Sequence, residues 1–200
     1  SDKDQWGHGF RRQSFTNNGI LGTDSPMSGI PSEKSPVKQA GEDLFNYAIE
    51  RDDIKWLMAQ LPREADVKPA TVEYELQILK IVSVGWAISY YLEGTPGRKN
   101  RVMELYWCAI NEFSKQLSET TGLMIGQDID YFETLKSRLD LYVEAMSGDP
   151  NATDPAVLIG PAFARACGYE DDIFTSMTGT ILFANAIVRV RQYLEAVKLR

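Results

Sequence analysis

The chain is poor in histidine and cysteine. Its 200 residues include one histidine, His8, and two cysteines, Cys108 and Cys167. A lone histidine near the N-terminus leaves the rest of the chain without a Ser-His-Asp triad, a histidine-bearing zinc set or a Glu-x-x-His di-iron pair. Two cysteines form no metal-ligand pattern, and a small secreted scaffold carries more of them. Each sits inside an apolar helical pattern, which reads as two reduced core thiols. No metal and no cofactor is expected.

Positive charge is also in deficit. Net charge is -7, from 21 Lys and Arg against 28 Asp and Glu. Broad nucleic-acid binding needs a basic face, so no nucleic-acid partner is expected. Electrostatic docking on an anionic membrane is excluded for the same reason. Arg11-Arg12 has the look of a twin-arginine signal, but no apolar run follows it. A soluble, cytoplasmic, acidic protein is the expectation. No strand period of any strength is present, and no internal repeat recurs at a fixed spacing.

Long uncharged runs are what the chain does have. From Leu76 to Leu92 only Lys80 is charged. At 3.6 residues per turn Ile78, Val82 and Trp86 fall on one face, and Ile81, Val84, Ile88 and Tyr91 on another. A helix apolar all round is a buried helix. The run is at the short limit for crossing a bilayer and has Glu73, Glu75 and Glu93 at its ends, so it reads as a core helix rather than a span. A second uncharged run extends from Ile173 to Val188. Its small-residue row, Ser176, Thr180 and Ala184, and the small positions Gly85, Ala87 and Ser89 of the first run, predict that the two helices pack side by side at the centre. Asn185 then needs a buried partner.

Helices are punctuated as expected for an all-α chain. A first helical stretch covers Glu42 to Leu61, interrupted at Arg51-Asp52-Asp53, and reads as a kinked helix or two short antiparallel ones. Pro69 and Pro96 suit first helical positions. Gly94, Gly122 and Gly148 suit helix ends. Asp130 with Glu133 resembles a capping box, Asp154-Pro155 opens a short helix ended by Gly168, and Pro161 inside it is expected to shorten or bend it. The carboxylate groups Asp52/Asp53, Asp128/Asp130/Glu133 and Glu170/Asp171/Asp172 lie at such helix starts, where capping accounts for them better than a cation does. The expected fold is a single-domain bundle of five to seven helices over residues 36–200, with two buried central helices.

Residues 1–35 read differently. Gly, Ser, Asn, Thr, Pro and Asp dominate, and no period persists. Trp6, Phe10, Arg11, Arg12 and Phe15 nevertheless lie close together, too much apolar and aromatic material for a spacer. An extended N-terminal arm that docks on a neighbouring subunit or partner is expected. The leading function is therefore a protein–protein interaction or assembly subunit, an oligomer through its arm, leaning away from an enzyme. The alternative is an anion-binding helical protein, possible also for an enzyme, built on Gly94 to Arg101. There Thr95, Arg98, Lys99 and Arg101 place cations and free N–H groups at a helix start, where the dipole disfavours cations unless an anion joins them. The spacing is not that of a P-loop.

Overall fold

The computed structural model describes residues 35–62, 67–92, 96–125, 130–148 and 154–199. Among them there are seven helices and no strand: α1 (Pro36–Ile49), α2 (Asp52–Gln60), α3 (Pro69–Tyr91), α4 (Pro96–Ile125), α5 (Tyr131–Gly148), α6 (Pro155–Cys167) and α7 (Ile173–Ala196). The protein is all-α.

The axis is α3. Every residue from Glu75 to Ser89 is buried, and each of the other six helices packs against it. Its apolar circumference explains this, since no face is polar enough to prefer water. Gly85 permits the approach of α4: a Cβ there would stand 2.6 Å from Cζ2 of Trp107. Tyr106, fully buried on α4, donates its hydroxyl proton to the carbonyl of Ile81 at 2.7 Å. An aromatic chain then runs outward, with Phe45 of α1 edge-on to Phe113 of α4, Phe113 to Tyr131 of α5, and Tyr131 to Tyr74 of α3.

The first helical stretch proves to be two helices, broken at Glu50–Arg51, and it begins at Pro36 rather than Glu42. The last carbonyls of α1 explain the break. Gln77 of α3 donates through Nε2 to the Ala48 carbonyl at 2.7 Å, and Lys80 Nζ donates to the Glu50 carbonyl at 2.8 Å. Lys80 also pairs with Asp53 of α2 at 2.8 Å and lies 4.3 Å from the Tyr47 ring centroid. Its side chain is fully buried, so the ion pair, the carbonyl and the ring supply what water would. A second buried charge, Glu75, holds α5 through a two-pronged pair with Arg138 at 2.7 and 2.8 Å.

Helix ends follow local chemistry. Asp130, Asp154 and Asp172 accept from Glu133, Ala156 and Thr175 backbone N–H groups, so the capping reading of those carboxylates holds. Gly168 adopts a left-handed φ of 79° at the end of α6. Two signals are overridden. Gly122 does not stop α4, which continues to Ile125, and α6 runs through Pro161. Pro161 is exposed, so its ring displaces no packed neighbour.

The two helices that hold the long apolar runs do pack together, with Trp86 of α3 against Phe183 of α7 at 5.8 Å. Their small residues serve other contacts. Ser176 and Thr180 of α7 receive α6 at Gly160, where a Cβ would collide with Thr180 Oγ1 and the Ser176 carbonyl. Expecting α7 to be buried all round was wrong: its outer side is exposed, Asn185 included. Cys108 is exposed too, on the outer side of α4.

Lys80→Met keeps the volume and removes the pairing. Denaturant unfolding should show a loss of about 3 kcal/mol, the lower end for a broken buried pair, because Asp53 retains some water. A loss below about 1 kcal/mol would contradict this role for Lys80.

Candidate functional site

Three places concentrate chemistry. The first is the shared mouth of α1 and α4. These helices run parallel: Val37 and Lys38 meet Gly97 and Arg98 at one end, and Phe45 meets Phe113 further along. Their N-termini therefore open side by side onto a pocket of about 650 Å³ lined by Ser35, Val37, Lys38, Gly97, Arg98, Arg101 and Leu105. Neither first turn carries an acid. Three cations line the pocket. Arg101 is partly neutralised by Glu104 at 2.7 Å, whereas Lys38 and Arg98 have no ion-pair partner among the described residues. Lys99 does not line it, and Thr95 lies outside the described residues. Lys38 is the residue sequence reasoning missed, because only the parallel packing of α1 on α4 brings it there.

The second place is a buried polar cluster. Glu75, Arg138, Tyr142 and Cys167 come together where α3, α5 and α6 meet. Burial pushes the Tyr142 hydroxyl well up from its ordinary range, and the Glu75 carboxylate adds to this. The Cys167 thiol is raised to about 12, chiefly by burial and then by Glu75. A protonated, buried thiol is a poor nucleophile. The Tyr142 hydroxyl is buried with no hydrogen-bond partner among the described residues. This cluster ties α3, α5 and α6 together, with Glu75, Tyr142 and Cys167 buried and Arg138 partly exposed.

The third place is the outer side of α7. Ile173 (65% exposed), Phe174 (44%), Met177 (52%), Ile181 (40%) and Val188 (42%) face solvent. The positions 174, 177, 181 and 188 fall within about 60° of one another at 100° per residue. The core stripe of Thr175, Thr178, Gly179, Leu182, Phe183, Ala186, Val190 and Leu194 lies on the other side. Thus α7 carries two apolar faces and only one is covered. By length and composition α7 also meets the test for a membrane-crossing helix, the only one among the described residues to do so. A third of its residues are nonetheless buried, on the side packed against α6 and α3. The arm residues Trp6, Phe10, Arg11, Arg12 and Phe15 lie outside the described residues.

No family model, no curated protein and no solved structure matches this chain. The function has to be read from these three places alone. Among the described residues no three His, Cys, Asp or Glu side chains converge as a ligand set.

The two thiols should separate cleanly. A thiol reagent should modify Cys108 in the native protein and Cys167 only after unfolding. Because folding raises the Cys167 pKa, the thiol form stabilises the fold fully below its ordinary value of 9, and that contribution is lost as pH rises towards 12. Unfolding free energy should therefore fall across that window, and Cys167→Ala should reduce the fall. Equal native labelling of both thiols, or stability flat through the window, would contradict the buried site.

Proposed function

We propose that this protein is a non-enzymatic interaction or assembly subunit that docks a protein partner on the outer face of α7. The observation that carries the reading is the exposed stripe Phe174, Met177, Ile181 and Val188 on a helix whose opposite face is already packed. Exposed apolar patches of this kind mark contact surfaces on soluble proteins. Lipid is a poorer fit, since α7 is held on one side by α6 and α3. An enzyme reading gains no support from the buried cluster, whose Cys167 and Tyr142 are both held protonated and closed off. The fold in this reading is a single bundle over residues 36–200, and residues 1–35, with Trp6, Phe10, Arg11, Arg12 and Phe15, form an arm that adds a second contact to the same partner or a neighbouring subunit. The protein is soluble and cytoplasmic.

A photoreactive benzophenone in place of Ile181 tests this in the cells that make the protein. It should yield a discrete protein adduct that disappears when Phe174→Asp and Met177→Asp are added. The same group in place of Glu144, an exposed position on α5, should yield none. Identical adducts at both positions, or lipid adducts at 181, would remove the proposal.

A second reading is anion binding at the mouth of α1 and α4. It is favoured by the placement of Lys38 beside Arg98 and Arg101 at two parallel helix starts. Lys38→Ala with Arg98→Ala should weaken binding of inorganic phosphate or a nucleoside triphosphate by about tenfold or more in calorimetry, since each charged hydrogen bond contributes about 1.5–3 kcal/mol. Unchanged binding would end this reading.

A further inference from the structure

We infer that the partner on the outer face of α7 is a second copy of the same helix, paired antiparallel about a two-fold axis at Ile181. This rests on α7 being a docking face, and it names the occupant.

Three features of α7 select this partner. The exposed apolar positions 174, 177, 181 and 188 advance by three, four and seven residues, the spacing that lets one helix seat another along a seam. The seam is centred on Ile181. A two-fold axis there sets Ile181 on Ile181 and Phe174 opposite Val188 of the other copy, so large apolar side chains meet at the centre and at both ends of the seam. The interface is isologous and closes at two copies.

Charge then chooses the direction. The turn leading into α7 is acidic, with Glu170, which pairs with Arg165, and Asp171, and the C-terminal part of α7 carries Arg189 and Arg191. Asp171, Arg189 and Arg191 have no ion-pair partner among the described residues. The register that centres the seam on Ile181 also places Asp171, in the turn ahead of the helix, near the end of the seam that carries Arg191 of the other copy. Parallel pairing would instead set acid against acid and base against base, which costs rather than stabilises. Antiparallel alignment also opposes the two helix dipoles favourably. Asn185 comes level with Met177, at the edge of the seam, where its amide keeps access to water.

Full-length protein is the material for the test. Light scattering over a wide concentration range should give twice the 22.5 kDa of one chain, and Ile181→Asp should give one chain with an unchanged helical circular dichroism spectrum. Asp171→Arg and Arg191→Asp should each shift the midpoint of dimer formation to higher concentration, and the two together should restore it. With Cys108→Ser as background, Phe174→Cys mixed with Val188→Cys should form the mixed disulfide in preference to either symmetric one. A wild-type chain that stays at one-copy mass overturns the inference, whether residues 1–34 or a lipid vesicle then covers the stripe. Symmetric disulfides at both positions overturn the antiparallel arrangement. A one-copy mass together with a protein adduct at position 181 in cells would remove this inference and leave the docking face standing.

Discussion

A single buried ammonium group organises the contacts around the central helix. Lys80 stands in the middle of α3, the only charge between Leu76 and Leu92, with no exposure at all. Removing an ammonium group from water costs several kcal/mol unless its protons find partners. It finds them in the carboxylate of Asp53, the carbonyl of Glu50 and the face of Tyr47. Those partners belong to the end of α1 and the start of α2. Satisfying Lys80 therefore fixes where the chain breaks between them. With the break fixed, α1 lies along α4 with its N-terminus beside that of α4, and the basic mouth follows. Glu75 acts in the same way towards α5 through Arg138.

Once α3 has used its charges on α1, α2 and α5, its remaining circumference is apolar, and α7 covers part of it. This explains why α7 is uncharged from Ile173 to Val188 without being enclosed. One face meets α3 and α6 through Phe183 and the closely approached Gly160. The other carries Phe174, Met177, Ile181 and Val188 into solvent. In the proposed reading, this bare stripe is the surface on which α7 makes its second contact.

Much of this was legible in the residues. The all-α class followed from the 3.6-residue period, and the burial of α3 from its apolar circumference. Pro69, Pro96, Asp130, Asp154 and Gly168 marked helix ends because capping is local chemistry. What could not be read depended on neighbours. An uncharged run with core on both sides and one with core on a single side carry the same signal, so the sequence does not reveal the exposure of the outer face of α7 or of Asn185. Cys108 shared an apolar pattern but sits on the outer side of α4. Lys38 and Arg98 are distant in sequence, and only the packing of α1 on α4 joins them. Gly122 and Pro161 failed as stop signals because tertiary packing outweighs propensities of about 1 kcal/mol for Gly and because Pro161 faces outward. The roles expected of Trp6, Phe10, Arg11, Arg12 and Phe15 fall outside the described residues.

The most direct measurement is the solvent exposure of the Ile181 and Val188 methyl groups, read by NMR relaxation from a soluble paramagnetic agent in the full chain. Methyls on a face that docks a second copy should be shielded at high protein concentration and become exposed on dilution, while those of Val157 on α6 stay exposed throughout. Methyls of Ile181 and Val188 equally exposed at every concentration, or shielded even at extreme dilution, would contradict a contact between copies on α7.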